Sequence, residues 1–322
     1  MDHTELRVVR AGEQDRYTVL QVLAEYLPGA DVEARHGWLY ERNPHGRAVT
    51  FMAFDARGVA LGLTSLFPRR VQVEGVVRTG AIGGDGFVRP AHRRRGVATA
   101  LHAACLEAMR RGSADEVEFM YGGPVPNNLK ALERAGSRVI SSLCRHVRPR
   151  VLHRFTRRLD RGRITLDPLV SSDRRVAEVF ERCSGSAAIL PVRDPAHYEW
   201  RFGATPARAQ QAFAVMQRGR AIALCALERS PGRVALVDFL APPDEHAGTL
   251  WATADALGEV EVLTMANLRA PASTSLWRAG FAPRESKGFQ VLAPPDHPAH
   301  KALFDPRRWY YQWADGDLDR LF

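Results

Sequence analysis

The segment 84–101, GDGFVRPAHRRRGVATAL, constrains the fold of this chain more than any other. Residues 84–88 are small or apolar apart from Asp85, which is typical of the end of a β-strand. Pro90 then ends the strand, because proline has no N–H to donate to a β-ladder. Apolar residues recur at helical spacing afterwards, so the pattern predicts a helix that begins near Gly96.

This junction has the chemistry of an anion-binding site. The first turn of a helix has unpaired N–H groups and carries the positive end of the helix dipole. Gly96 lets a bulky anion approach the backbone, and Arg93, Arg94 and Arg95 precede it. The arrangement suits a pyrophosphate. The alternative interpretation is an arginine-rich, solvated loop before an ordinary helix.

The same residues match a known signature. Val88, Pro90, Arg93, Gly96 and Ala98 fit the pattern V-x-P-x-x-[QR]-x-x-G-x-[GA] at every position, in register with the predicted strand and helix. The segment therefore resembles the acyl-CoA signature of the GNAT acyltransferase superfamily. The resemblance implies acyl-CoA as the co-substrate, with acetyl-CoA as the first choice, and no metal.

The resemblance also implies where the coenzyme binds. In the superfamily, the strands on either side of the motif helix splay apart, and their backbones hydrogen-bond the pantetheine arm. Here those strands would be 84–88 and 117–121, with the pyrophosphate on the N–H groups of 94–98. A helix after Pro126 would flank the arm. The coenzyme-binding residues expected on this basis are Phe87, Val88, Arg93, Arg94, Arg95, Gly96, Val97, Ala98, Asn127 and Asn128.

Acylation of an amine requires loss of a proton from the amine and N–H donors for the tetrahedral oxyanion. The backbone near Val88 is expected to supply the donors. Asp85 is the first choice for the base, because a side chain on the strand that enters the site can point at the thioester, although it could instead pair with a nearby arginine. Glu118 and His92 are the other candidates: Glu118 could face outward, and His92 could cap the loop.

The usual general acid of the superfamily is a tyrosine four residues before the glycine that ends the second helix. Leu132 occupies that position here, which is a departure from the pattern. Tyr121 is the nearest substitute, although it also fits as a packed aromatic side chain of a strand. Deprotonation relayed by water, with no dedicated base, is a further alternative.

The second half of the chain repeats the first weakly. The pattern W-x-[YF]-x-x-x-P occurs at 38–44 and 200–206, and Arg-Ala-Gly occurs at 134–136 and 278–280. A basic stretch, 148–163, separates the halves. We therefore expect an α+β fold, with a mixed α/β sheet, of two tandem GNAT-like domains, 1–150 and 151–322. Each would be a mostly antiparallel sheet flanked by helices.

The second domain is expected to be degenerate. Where the first half carries arginines and a glycine, residues 241–246 read APPDEH, and an acidic helix start repels a pyrophosphate. The first domain should bind acyl-CoA, and the second should contribute to the acceptor site. The whole resembles tandem-GNAT acyltransferases, including those that acylate nucleotide-linked amino sugars. The alternatives are an aminoacyl-tRNA-dependent transferase and a non-catalytic acyl-CoA-binding protein.

The C-terminal segment 309–319, WYYQWADGDLD, combines aromatic side chains with three acids. Either its rings dock on the core, or its acids bind an amine or a sugar hydroxyl of the acceptor. The chain also resembles aminoglycoside-acetylating enhanced-intracellular-survival proteins at Gly83, Gly84 and the terminal Phe322. In those proteins the terminal carboxylate is the base.

Composition sets the remaining expectations. The chain has 322 residues, 45% of them hydrophobic, which is enough for two cores. The formal net charge of +9 favours acidic ligands, and coenzyme A is one. The arginine-rich composition is also what a GC-rich genome encodes, so the charge is weak evidence for nucleic acid, and no apolar run is long enough to predict a membrane span. The resemblance implies a small-molecule amine as the partner, and neither nucleic acid nor membrane is expected. Four widely spaced cysteines and the lack of a signal pattern predict buried thiols and a cytoplasmic location.

Overall fold

The residues of the chain form two compact units. The computed structural model describes residues 6–112, 117–124, 126–149, 164–185, 189–204, 210–257 and 262–316. Unit 1 comprises Met1–Arg70, Arg78–Ile140 and Phe289–Phe304, and unit 2 comprises Val71–Val77, Ser141–Gly288 and Asp305–Phe322.

A single division of the chain between residues 150 and 151 does not describe these units. Residues 141–149 precede that division yet belong to unit 2, and residues 289–304 follow it yet belong to unit 1. Both segments carry strands whose pairing is long-range, and such pairing leaves no periodicity in the local sequence. The predicted division of function between the two halves stays a prediction.

The structure has the following elements in chain order. The strands are β1 (Arg7–Arg10), β2 (Val49–Phe54), β3 (Ala60–Val73), β4 (Val76–Val88), β5 (Phe119–Gly122), β6 (Arg138–Pro149), β7 (Ile164–Pro168), β8 (Ile189–Pro191), β9 (Gln210–Gln217), β10 (Arg220–Ser230), β11 (Arg233–Leu240), β12 (Val262–Leu268) and β13 (Ala282–Leu292). The helices are α1 (Arg16–Tyr26), α2 (Val32–Arg35), α3 (Val97–Arg111), α4 (Leu129–Arg134), α5 (Arg174–Ser184), α6 (Pro195–Tyr198), α7 (His246–Ala256), α8 (Arg269–Arg278) and α9 (His300–Leu303).

The sheet of unit 1 runs in the order β1-β2-β3-β4-β5. β1 and β2 pair antiparallel, as do β2 and β3, whereas β4 and β5 pair parallel from Gly80↔Phe119 to Ile82↔Tyr121. The end of β13 completes this sheet, because Gln290 pairs antiparallel with Gly122. The parallel pair is therefore short, and β4 continues for six residues past Ile82.

Helix α3 covers one face of this sheet with a regular apolar stripe. Val97, Leu101, Cys105 and Met109 recur every four residues, and all four are buried in one cluster with side chains of β2 and β3 such as Phe51. This stripe is the helical spacing that the sequence predicts. Packing on the sheet fixes the start of α3 beside the end of β4.

Unit 2 has a sheet of the same design, in the order β7-β9-β10-β11-β12-β6. β9, β10 and β11 form an antiparallel meander, and β11 pairs parallel with β12 from Arg233↔Val262 to Leu236↔Met265. Residues of β6 then pair antiparallel with β12. The expected α+β fold, with mostly antiparallel sheets flanked by helices in tandem, is confirmed.

The internal repeat appears as repeated local structure. Trp38 and Trp200 are both buried in π-helical turns, His36–Glu41 and Glu199–Gly203. The two Arg-Ala-Gly sequences both end a helix, at α4 and at α8. In each case the glycine has a left-handed φ, +96° at Gly136 and +80° at Gly280, as a helix C-cap requires.

The aromatic C-terminal segment docks within unit 2. Trp309, Tyr311 and Trp313 are each at most 5% exposed, so their rings are part of the core, as one of the two interpretations predicts. Phe322 lies outside the described residues, so the predicted terminal carboxylate is not placed.

Cys105, Cys144, Cys183 and Cys225 are buried free thiols, as expected. Burial raises the pKa of the Cys105 thiol to about 12, which makes it a poor nucleophile. Within the described residues, no helix is both long and apolar enough to cross a membrane. The same residues contain no cluster of three His, Cys, Asp or Glu side chains that could hold a metal ion.

Candidate functional site

A cavity of about 710 Å³ lies in unit 1, beside the junction of β4 and α3. It is lined by Tyr26 of α1, by β3, by the end of β4, by the loop before α3 and the first turns of that helix, and by α4. Of the ten residues predicted to bind the coenzyme, all but Arg95 line this cavity. The structure therefore brings together residues from both sides of the motif.

The N-terminus of α3 is open to the cavity. Gly96 is the N-cap, with φ +83° and ψ −5°, and no side chain caps the helix. The helix's own backbone bonds begin with Ala100 N–H to Gly96 C=O at 3.0 Å, so the N–H groups of the first turn have no helical acceptor. Val97, Ala98 and Thr99, which carry those groups, line the cavity. Three donors and the positive end of the helix dipole can thus meet an anion.

The cavity wall is cationic. Arg93 and Arg94 line it from the motif, and Lys130 and Arg134 line it from α4. The described lining contains no aspartate or glutamate. Lys130 and Arg134 were not predicted as site residues, although their spacing of four places them on one face of a helix that was predicted. Four cations match the several negative charges of a nucleotide coenzyme.

The end of β4 forms the other wall. Beyond Ile82, the last residue paired with β5, the strand reaches Gly86, Phe87 and Val88, which line the cavity. Arg93 fastens this wall, because its Nε donates to the Val88 carbonyl oxygen at 2.9 Å and its guanidinium lies 5.7 Å from the centre of the Phe87 ring. The end of the strand and the loop that carries Arg93 are therefore held together.

A small polar group lies among the apolar side chains of the lining. His102 of α3 is 5% exposed and hydrogen-bonds Asn128 at the start of α4. Burial lowers the pKa of His102 to about 4, so its ring is neutral at neutral pH. A Cβ added at Gly86 would lie 3.0 Å from Nδ2 of Asn128, so the glycine allows the close approach of this amide. His102 was not predicted, because only the fold places it beside Asn128.

The structure places Asp85 in an ion pair rather than in the cavity lining. Its Oδ1 accepts from Arg35 Nη2 at 2.8 Å, and its Oδ2 accepts from Arg35 Nε at 3.2 Å and from the Tyr40 hydroxyl at 2.9 Å. Burial and the Asp85 carboxylate raise the pKa of Tyr40 well above its usual range, so Tyr40 remains a donor. The carboxylate has the arginine partner that the sequence left open as an alternative, but the partner comes from α2.

Replacing Asp85 by Asn should lower the free energy of unfolding by roughly 2 kcal/mol, because the Arg35 guanidinium loses its counter-charge in a partly buried site. Tyr40→Phe removes the bond to Asp85 and the bond that the Ser65 hydroxyl donates to Tyr40, and it should cost about 1–2 kcal/mol. Urea denaturation of both variants measures the difference. Equal stability of D85N and the wild type would contradict a structural ion pair. If Asp85 is also the base, D85N should lower kcat with little change in KM, and Y40F should not.

Glu118 and Tyr121 also lie outside the lining. Glu118 accepts from Arg78 Nη1 at 2.8 Å and from the Thr79 N–H at 3.1 Å, and its Oε2 lies 3.2 Å from His297 Nε2. Tyr121 is 1% exposed, with its ring beside those of Phe119 and Phe289. Tyr121 therefore belongs to the packing of β5, and Glu118 belongs to a polar cluster directly before that strand.

His92 is the one predicted catalytic side chain that lines the cavity. It ends a short 3-10 turn, Pro90–His92, directly before the arginines of the motif. Leu132, at the position of the superfamily's usual acid, is 3% exposed and packs in the core of unit 1. No tyrosine therefore approaches the cavity from that position.

Comparison with known proteins agrees with this geometry. Residues 16–134 match the model of the Acetyltransferase (GNAT) family. A comparison with curated proteins gives no match.

Solved structures share the fold across both units. A GCN5-related N-acetyltransferase from Anabaena variabilis has a TM-score of 0.68 at 13% identity, over 89% of this chain and 72% of its own. Eis1 from Mycobacterium abscessus has a TM-score of 0.61 at 16% identity, over 89% of this chain and 73% of its own. A tandem GNAT protein from the clavulanic acid biosynthesis pathway has a TM-score of 0.54 at 18% identity, over 91% and 100%. Residues 16–134 therefore match the GNAT acetyltransferase family model, within a chain that has the tandem-GNAT fold.

Proposed function

We propose that this protein is an N-acyltransferase that moves an acyl group from acyl-CoA, with acetyl-CoA as the first choice, to the amine of a small molecule. The observation that supports it most is the cavity of unit 1, where an uncapped helix N-terminus, four cations and the end of β4 meet. The helix N-terminus suits a pyrophosphate, and the end of β4 suits an extended pantetheine arm. The second half is proposed to be degenerate and to shape the acceptor site.

In this proposal the first-turn N–H groups of α3 bind the pyrophosphate. Arg93, Arg94, Lys130 and Arg134 neutralise the phosphates. The arm runs along the end of β4 towards the thioester near Val88. The amine nitrogen attacks the thioester carbonyl carbon, the C–S bond breaks, and the coenzyme leaves as a thiolate that takes up the proton lost by the amine.

The proton needs a path out of the reacting amine. His92 lines the cavity and is one candidate carrier; water is the other, with no dedicated base. Asp85 stays a candidate only if its bonds to Arg35 and Tyr40 open during turnover. An amino sugar is the acceptor that the tandem-GNAT resemblance favours, and its amine would enter from the thioester end.

A paired charge-removal experiment tests the coenzyme assignment. K130A/R134A should weaken acetyl-CoA binding about 30-fold, because two charge-assisted contacts to phosphate are lost. The control R57A/R110A removes the same charge from exposed positions outside the lining and should change the affinity little. Isothermal titration measures both, and equal affinities in the two double variants would contradict the assignment.

Thiol release from acetyl-CoA with a panel of amines, amino sugars included, then tests the reaction. Product formation identifies the acceptor class. Coenzyme binding without acylation of any amine would favour the non-catalytic alternative. Binding of aminoacyl-tRNA without binding of acyl-CoA would favour the tRNA-dependent alternative.

A further inference from the structure

The splayed end of the parallel pair in unit 2 is already filled by the chain itself. β11 and β12 are paired only as far as Leu236↔Met265, and β11 continues to Leu240. In unit 1 the corresponding part of β4 lines the cavity. In unit 2 the side chain of Gln312, which is 0% exposed, bonds the backbone of Phe239 in this part of the strand.

The contact has the form of a backbone pairing. The Phe239 N–H donates to Gln312 Oε1 at 2.6 Å, and Gln312 Nε2 donates to the Phe239 carbonyl oxygen. The backbone N–H and C=O of one strand residue point to the same side of the strand, so Gln312 binds Phe239 on the side where a neighbouring strand would bind. One side-chain amide thus takes the place of an amide of an added extended chain. The Tyr310 hydroxyl donates to the same carbonyl oxygen.

The two units match at this point residue by residue. Asp238, directly before Phe239, accepts from the Tyr198 hydroxyl at 2.6 Å and from Arg193, as Asp85 accepts from Tyr40 and Arg35. Arginine and tyrosine are five residues apart in both units. Gln312 therefore occupies, in unit 2, the position beside the strand that the cavity occupies in unit 1.

The segment that carries Gln312 is held in place. Asp315 accepts from the Gln312 backbone N–H at 2.7 Å and forms an ion pair with Arg193 at 2.8 Å. The Tyr310 N–H donates to the Ile189 carbonyl oxygen at 2.8 Å. The start of α7, where a pyrophosphate would have to bind, carries the exposed acids Asp244 and Glu245.

From these contacts we infer that Gln312 and Tyr310 act as a built-in substitute for the pantetheine arm, which closes unit 2 to acyl-CoA and limits the chain to one coenzyme. The inference deepens the proposed function and rests on it only for the identity of the ligand in unit 1. The occupation of Phe239 by Gln312 can be tested without any coenzyme.

Hydrogen exchange of the full-length protein, followed by mass spectrometry, tests both parts. With acetyl-CoA, residues 86–99 should exchange more slowly, and residues 237–246 should not change. Slower exchange at 237–246 on addition of acetyl-CoA, or two coenzymes bound per chain, would overturn the inference. No response at 86–99 would overturn the proposed function instead and would leave the test on Phe239 intact.

Gln312→Met tests the contact itself. Methionine fills a similar volume without hydrogen bonds, so the Phe239 amide should exchange at least about tenfold faster, a factor that corresponds to one lost hydrogen bond. Gln211→Met, at an exposed position of unit 2, is the matched control and should leave that amide unchanged. Unchanged exchange at Phe239 in Q312M would overturn the inference. If Q312M is too unstable to measure, Tyr310→Phe, which removes one bond to the same carbonyl oxygen, should still speed exchange of 237–240 relative to Q211M, and no change would count against it.

Discussion

Gly96→Glu is expected to weaken acyl-CoA binding at least about 100-fold, because the new carboxylate would meet the phosphates at the helix N-terminus, where juxtaposed like charges cost several kcal/mol. The fold should survive. A Cβ built at Gly96 has no heavy atom within 4 Å, so the side chain has room. The left-handed φ of +83° adds about 1 kcal/mol of backbone strain for a residue that is not glycine.

Two variants separate charge from strain in this prediction. Gly96→Ala carries the strain alone and should bind acyl-CoA within about tenfold of the wild type. Gly58→Glu places the same charge in another open left-handed position, φ +77°, outside the cavity lining, and should leave binding unchanged. Isothermal titration gives the affinities, and urea denaturation gives the stabilities. Wild-type affinity in G96E would mean that the phosphates lie elsewhere.

Elements with local signals could be predicted from the sequence closely. The helix predicted after Pro126 is found at Leu129–Arg134, and the one predicted to begin near Gly96 begins at Val97. Pro90, Gly96 and Gly136 act on their immediate neighbours, so their effect is visible in a short window. The placing of the motif at the end of a strand and the start of a helix follows from such signals.

Partners that are distant in the chain could not be predicted in this way. Asp85 pairs with Arg35, fifty residues earlier, and nothing in either neighbourhood indicates the other. The placing of residues 141–149 in unit 2 and of 289–304 in unit 1 depends on strand order, which periodicity does not encode. The prediction of Asp85 as the base used only the direction of its strand. It did not include Arg35 and Tyr40, whose side chains converge on the carboxylate.

The repeat illustrates the same limit. The match of Trp38 with Trp200 indicated a second GNAT-like domain, and both lie in π-helical turns. Tyr40 and Tyr198 each donate a hydrogen bond to an aspartate at equivalent places in the two units. Tyr40 follows its tryptophan in the sequence, whereas Tyr198 precedes its tryptophan, so the sequence match does not align them. The repeated tryptophan pattern indicates packing that the two units share. The repeated arginine, tyrosine and aspartate contacts can be recognised only in the structure.

The polar centre of unit 2 should be among its most sensitive points. Arg193 is 2% exposed and forms ion pairs with Asp238 at 2.9 Å and with Asp315 at 2.8 Å. Arg193→Met would leave two buried carboxylates without a counter-charge, so we expect a loss of about 4 kcal/mol in the free energy of unfolding of unit 2. Urea denaturation followed by the fluorescence of the tryptophans, with hydrogen exchange to assign the unit, measures it.

We expect the loss of stability in R193M to come from unpaired charge rather than from lost packing, and two further variants test this. Arg35→Met in unit 1 removes an arginine that is 12% exposed and faces one aspartate, so it should cost less, about 2 kcal/mol. R193M/D238N/D315N replaces the stranded carboxylates by neutral amides and should recover at least half of the loss, because the penalty of burying unpaired charge is removed. Two results would show that the ion pairs do not hold unit 2 together: R193M as stable as the wild type, or a triple variant no more stable than R193M. In either case Gln312 would be held in place by the docked aromatic rings rather than by Asp315.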